Sequence, residues 1–232
     1  MGGVTANLAS VEARLRAAER SAGRLSGSVS LLAVSKTRPP EDVAAAAAAG
    51  QMAFGENQLQ DALTKIEAPL PAGLEWHFIG PVQSNKTRAI ASHFAWVHSI
   101  DRLKIAERLS DQRPPHLPPL QCCVQFNVSA EGSKSGVTTD QLPDLAAAVA
   151  ALPRMRLRGL MAIPAPADDP DEQRAAFAAV RHALETLKSG GLALDTLSMG
   201  MTDDMEAAVA EGATMVRIGT AIFGRRARKA PL

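Results

Sequence analysis

The stretch SLLAVSKTRPP, residues 30–40, carries an apolar run up to Ser35 and then places a lysine, Lys36, where the run ends. Lysine is among the side chains least often buried. One at this position either stops a strand and turns its ammonium to water, or is kept there as an amine. An amine forms a Schiff base with an aldehyde once desolvation or a nearby cation lowers its pKa. Two later stretches offer a complementary chemistry. SMGMTDDMEAAV, residues 198–209, places Gly200 and Thr202 ahead of a helix-forming run, and RIGTAIFG, residues 217–224, places Gly219 and Thr220 in the same relation. In each, the glycine lets backbone approach a ligand, the threonine supplies a hydroxyl, and the N–H groups of a helix start favour a phosphate.

Such residues cooperate only if the fold gathers them. Residues 5–25 carry Leu8, Val11, Leu15 and Ala18 at helical spacing with charges between them, which predicts an amphipathic helix. Short apolar runs then recur at 29–35, 51–55, 75–80, 96–100, 120–128, 157–163, 196–201 and 215–219. Segments between them are rich in Ala, Leu, Glu, Arg and Gln and suit helices, among them 41–49, 58–66, 102–110, 141–152, 171–188 and 203–211. Entry signals precede several of these: Pro39 and Pro40, Asp101, Thr139 and Asp140, Pro170 and Asp171, Thr202 and Asp203.

This alternation, with no Gly/Ser-rich linker, predicts an α/β fold: one (β/α)8 barrel of TIM type over residues 1–232, with an extra N-terminal helix and a basic tail at 225–232. The competing open, doubly wound sheet calls for a glycine fingerprint after its first strand, and SKTRP at 35–39 holds none. In a barrel the strand ends share a mouth. Lys36, Glu56, Asn57, residues 80–83, Asn127, residues 161–164, residues 200–202, Gly219 and Thr220 all fall there.

A lysine at the end of the first strand and a phosphate cradle at the seventh and eighth suit a ligand with both an aldehyde and a phosphate. Pyridoxal 5′-phosphate (PLP) is the leading candidate; a phosphorylated sugar held through Lys36 is the other. Arg217, two residues before Gly219, points toward the mouth. Facing a pyridine nitrogen, it would keep that nitrogen unprotonated and weaken the ring as an electron sink. A core ion pair with a barrel carboxylate is the alternative reading of this arginine.

Bulk properties exclude several classes. The 232 residues, 46% hydrophobic and 21% charged, suffice for a sizeable core. A net charge of +1 gives no electrostatic drive toward nucleic acid or an anionic membrane. The run Arg225, Arg226, Arg228 and Lys229 is short enough to be simply solvated. Cys122 and Cys123 are adjacent, so on a strand they point to opposite faces and make neither a disulfide nor a metal site. No apolar stretch reaches bilayer length, and Glu12, Arg14, Arg16, Glu19 and Arg20 stand where a secretion signal would be apolar. A cytoplasmic protein is expected.

AVSKTRP, FGEN, EWHFIGPVQSNK, SKSG, RGLMAIP, SMGMTDDM and MVRIGTAIFG follow one another in the order and spacing of the pyridoxal-phosphate homeostasis proteins. The chain resembles that family over nearly its whole length. The resemblance implies a fold like the N-terminal barrel of alanine racemase, with PLP held as a Schiff base on Lys36 and its phosphate on Thr202, Gly219 and Thr220. By similarity to the racemase, Arg217 faces the pyridine nitrogen. Asn57, His77, Asn85, Met161 and Met201 match motif positions around the cofactor. Two positions depart from the pattern. Thr202 stands where serine is usual, which keeps the hydroxyl, and Gln58 stands where tyrosine is usual, which removes a phenol but spares the lysine and the cradle.

A racemase of the alanine type sets a lysine on one face of its substrate and a tyrosine on the other, the tyrosine arriving with a second domain and a partner subunit. This chain contains no tyrosine. A monomeric PLP carrier that buffers the cofactor and passes it to PLP-dependent apoenzymes is therefore expected ahead of a PLP enzyme acting on amino acids. His77 or His98 could supply a second base; a hydrogen-bonded structural histidine is the simpler reading. Lys134, in the loop AEGSKSG, is expected either to exchange an imine with Lys36 during PLP entry and exit or to stand as a solvated cation.

Overall fold

Short aliphatic runs flanked by turn residues form strands, and in a parallel barrel each strand is covered on both faces. The computed structural model describes residues 3–128 and 135–224. Lys134 and the basic tail lie outside them. Among the described residues the strands are β1 (Ser30–Val34), β2 (Ala53–Glu56), β3 (Glu75–Phe78), β4 (Trp96–Ile100), β5 (Leu120–Gln125), β6 (Met155–Met161), β7 (Thr196–Ser198) and β8 (Met215–Ile218). Each pairs in parallel with the next and β8 pairs with β1, closing a barrel in chain order. Leu32 lies opposite Arg217 and Ala33 opposite Ile218, which brings the ends of β1 and β8 level.

The helices are α1 (Val4–Ser21), α2 (Pro40–Ala48), α3 (Leu59–Ile66), α4 (Thr87–His93), α5 (Leu103–Gln112), α6 (Leu142–Ala150), α7 (Pro170–Ser189), α8 (Met205–Ala210) and α9 (Thr220–Phe223). The first stops four residues short of its expected end. Gly23 takes a φ of +67°, in the left-handed region that ends helices, and Leu25, the last residue of the expected helix, is 84% exposed. No helix of the described residues is long and apolar enough to cross a membrane.

Side chains alternate across each strand. Ala33, Phe54, Phe78, Val97, Cys122, Leu197 and Val216 join one core with the helices, whereas Trp96, Cys123 and Met161 form a separate cluster inside the barrel. The adjacent cysteines thus face opposite ways by strand alternation, and both thiols are free. Gly55 belongs to the inner row: a Cβ there would sit 3.2 Å from Leu32 Cδ2 and 3.3 Å from Ile79 Cδ1, so its absence keeps space beneath the mouth. Helix α1 packs on α2, α8 and α9. Asn7 Nδ2 donates to the Ile222 carbonyl, and Arg24 donates to the carbonyls of Val209 and Ala213. The extra N-terminal helix and the turn after it therefore brace the segments that follow β7 and β8.

Candidate cofactor site

Lys36 stands two residues beyond the end of β1 and is half-buried, and its two neighbours are clamped from below. Alternation sends Ser35 outward, between β1 and the helical layer, where its Oγ donates to Glu56 Oε1 at 2.6 Å. The Ser35 carbonyl accepts from Lys65 Nζ at 2.9 Å. On the other side, Thr37 takes a φ of 64°, strained for a β-branched residue, and its N–H donates to Asp61 Oδ2 at 2.9 Å. Lys65 ties these together, donating to Glu56 Oε1 at 2.7 Å and to Asp61 Oδ2 at 2.8 Å. Both Lys65 and Glu56 are buried, and Glu56 Oε2 has no hydrogen-bond partner. Burial pushes the Glu56 carboxyl up, against the pull of Lys65 and Ser35. Asp61 is also raised by burial, but Lys65 and the Thr37 N–H outweigh this and hold it below the usual carboxylate range.

The cradle lies on the neighbouring strand ends. Gly219 touches β1: a Cβ there would stand 3.0 Å from the Val34 carbonyl oxygen. Thr220, exposed, opens α9 beside it. The Arg217 N–H donates to the Gly200 carbonyl at 2.9 Å, which joins the end of β8 to the loop after β7. Gly200 has a φ of +94°, and a Cβ there would meet Ala208 Cβ at 2.5 Å, so only glycine fits. Arg14 of α1 grips this loop from outside, donating to the Thr202 carbonyl at 2.7 Å and pairing with Glu206.

Arg217 lies inside the barrel, 5% exposed. Its Nη1 donates to the carbonyl and the Oγ of Ser198, and its Nη2 donates to the Ala162 carbonyl at 2.9 Å. Among the described residues no carboxylate lies within ion-pair distance, so the core ion pair considered from sequence does not form with them. Burial lowers its pKa to about 10, which still leaves a cation at neutral pH. A cleft lined by Ile79, Pro81, Gln125, Ser135 and Ile163 opens at the ends of β3, β5 and β6.

The structure therefore brings Lys36, Gly200, Thr202, Arg217, Gly219 and Thr220 to adjoining strand ends. Asn57 is half-buried at the end of β2, with its backbone against Gly80: a Cβ on that glycine would meet the Asn57 carbonyl oxygen at 2.2 Å. Met201 is 39% exposed in the β7 loop. Asn85 is exposed in the turn before α4, and Met161 is buried against Trp96 and Cys123. His77 is fully buried, stacked on Trp96 at 5.3 Å, below the mouth. Glu56, expected at the mouth, points outward to Lys65, because Gly55 takes the inward position beside it on β2. Sequence reasoning missed Ser35, Asp61, Lys65, Ser198 and Arg14. Of these, only the Asp61–Lys65 pair, spaced i,i+4 on one helix, left a local signal.

Comparison with known proteins places this arrangement. The family model described as alanine racemase, N-terminal domain, matches residues 6–227. A pyridoxal phosphate homeostasis protein of Pseudomonas aeruginosa is 59% identical over 231 residues, covering 100% of this chain and 99% of the relative. The protein of that name from Escherichia coli K12 is 54% identical and covers 97% of this chain and 98% of the relative. PipY of Synechococcus elongatus, solved with PLP bound, superposes with a TM-score of 0.81 at 37% identity, covering 95% of this chain and 100% of that one. Alanine racemase from Corynebacterium glutamicum shares the fold at a TM-score of 0.69 and 22% identity, with 99% of this chain and 62% of the racemase covered. The chain belongs to the pyridoxal phosphate homeostasis proteins, a family built on the N-terminal barrel of alanine racemase.

Proposed function

We propose that this protein binds pyridoxal 5′-phosphate covalently through Lys36 and stores and delivers it within the cytoplasm, without strong catalysis of its own. The observation that carries this reading is that β1, which leads into Lys36, ends level with β8, with Gly219 packed against Val34, so that the lysine and the Gly219–Thr220 turn leave adjacent strand ends. The donor set suits a phosphorylated pyridine aldehyde. Lys36 offers a primary amine, Thr202 and Thr220 offer hydroxyls to a phosphate, and the missing Cβ of Gly219 lets backbone come close. The bound aldehyde supplies an electrophilic carbon that condenses reversibly with an amine and releases water. The relatives from P. aeruginosa and E. coli carry the same homeostasis name, and PipY was solved with PLP.

Each residue then has a task. The Glu56–Lys65–Asp61 cluster keeps the backbone on both sides of Lys36 in place, so the amine is presented without searching for its position. Arg217 stays cationic and holds a facing ring nitrogen unprotonated, which disfavours carbanion chemistry. A second base on the opposite face has no tyrosine to supply it. Both ring nitrogens of His77 and of His98 are engaged inside the barrel. These features favour holding and returning the cofactor over turning over amino acids, and a steady-state assay on an amino-acid panel separates the two. Borohydride reduction of the PLP-loaded protein, followed by peptide mapping, should place the label on Lys36 and lose it in Lys36→Ala. A label on another lysine would refute the assignment.

A further inference from the structure

A line of hydrogen bonds crosses the barrel interior from Arg217, near the mouth, to Glu75, the first residue of β3 at the opposite end. Arg217 Nη1 lies 2.9 Å from Ser198 Oγ, and Ser198 Oγ lies 2.8 Å from His98 Nδ1. His98 Nε2 lies 2.9 Å from His77 Nδ1, and His77 Nε2 lies 2.8 Å from Glu75 Oε1. Ser198, His98 and His77 are fully buried, while the Glu75 side chain is 49% exposed.

The two ends fix the direction of every bond. A guanidinium only donates and an ionised carboxylate only accepts. The His77 bond holds Glu75 below the usual carboxylate range, so Glu75 is ionised at neutral pH. Burial keeps both imidazoles neutral, and for His98 the neighbouring His77 and Arg217 add to this. His77 therefore donates from Nε2 to Glu75 and accepts at Nδ1 from His98 Nε2–H. His98 in turn accepts at Nδ1 from the Ser198 hydroxyl. That leaves Ser198 Oγ with its lone pairs toward Arg217, an acceptor strengthened by the bond it donates. Reversing the line would aim a His98 N–H and the Arg217 Nη1–H at one oxygen, and the serine proton would need a new acceptor. Two further charges act on its ends: Arg158, with Cζ 5.1 Å from the Trp96 ring centroid and paired with Asp195, helps to lower Glu75, and Asp204 favours the Arg217 cation.

We infer that Ser198, His98, His77 and Glu75 are positioning residues for the cofactor: they hold Ser198 as an acceptor for Arg217 and thereby keep the guanidinium turned to the ring nitrogen. This rests on the proposed roles of Lys36 and Arg217. A polar line used only to satisfy the core would stabilise the barrel yet leave bound PLP unchanged.

The test uses PLP-loaded wild type, Glu75→Gln, Glu75→Leu, Ser198→Ala and the Ser198→Ala/Glu75→Leu pair. Nitrogen NMR of the histidine rings should show Nε2–H tautomers for both in wild type and in Glu75→Gln, which keeps an acceptor. Glu75→Leu should shift the absorption of lysine-bound PLP and speed its release by at least about twofold, the low end of couplings within one hydrogen-bond network. Glu75→Gln should restore wild-type behaviour, and Glu75→Leu should add nothing once Ser198 is alanine. An Nδ1–H tautomer at His98 in wild type, unchanged release from Glu75→Leu, or an undiminished Glu75→Leu effect in the Ser198→Ala background would each overturn the inference. Borohydride labelling of Lys36 in every variant keeps the cofactor assignment standing through such an outcome; absence of that label in wild type would remove both.

Discussion

Lys65→Met tests the platform beneath the cofactor lysine. Lys65 is 1% exposed, and its three ammonium hydrogens are spent on Glu56 Oε1, Asp61 Oδ2 and the Ser35 carbonyl. Methionine keeps most of the volume and removes the charge. Glu56, itself fully buried, then has no cation beside it, and breaking a buried pair in this way costs about 3–5 kcal/mol. Urea unfolding should register that loss. Lys65→Met/Glu56→Gln should recover part of it, because the uncompensated carboxylate is gone.

Acid provides a second check with a definite sign. Burial raises the folded-state pKa of Glu56, so the folded protein takes up this proton more readily than the unfolded chain. The penalty is fully present above the folded pKa and disappears as pH falls below the ordinary glutamate value of about 4.3. The Lys65→Met deficit should therefore shrink on acidification. Borohydride labelling of Lys36 should also slow in this variant, since Ser35 and Thr37 lose their common anchor. A cost below about 1 kcal/mol, as for a solvated surface pair, would refute the buried-platform reasoning.

Other expectations follow from the same structure. Thr220→Val and Thr202→Val should each weaken PLP binding by about 1.5–3 kcal/mol, the range for a hydrogen bond to a charged group, as measured by equilibrium dialysis. Pyridoxal lacking the phosphate should bind far more weakly than PLP, and equal affinities would remove the cradle. Glu19 is buried; burial pushes its carboxyl up, but the Gly27 and Val29 N–H groups with Arg16 and Arg24 outweigh that and leave its pKa lowered. Its stabilisation is thus present above the ordinary glutamate value and lost as pH falls through the lower folded value. Glu19→Gln should be destabilising at neutral pH, with the gap to wild type closing in acid denaturation series below about pH 4.

Much of the barrel was legible because its strands are short aliphatic runs and its longer helices carry entry signals. All of the expected runs became strands, and β6 begins two residues earlier than expected, at Met155. Helices α4 and α9 left little trace. Thr87–His93 holds a β-branched threonine and isoleucine and no acidic residue in its first turn, and Thr220–Phe223 is a single turn. Lys36 and the two Gly–Thr sites were readable because chemistry there is local: a strand end, a glycine and a hydroxyl within a few residues. The support around them was not, because it depends on register. Glu56 turns outward because Gly55, next to it on β2, faces inward. Ser198, His98 and His77 meet through strands β7, β4 and β3, which no local pattern links.

Transfer to an acceptor separates a carrier from a bystander. PLP-loaded protein is mixed with a PLP-dependent apoenzyme in the presence of a scavenger that destroys free PLP, alongside free PLP at equal concentration. A carrier should activate the apoenzyme with the scavenger present, Lys36→Ala should fail to do so, and free PLP should be lost. Activation that falls with the scavenger as steeply for the loaded protein as for free PLP would contradict delivery and leave only passive binding.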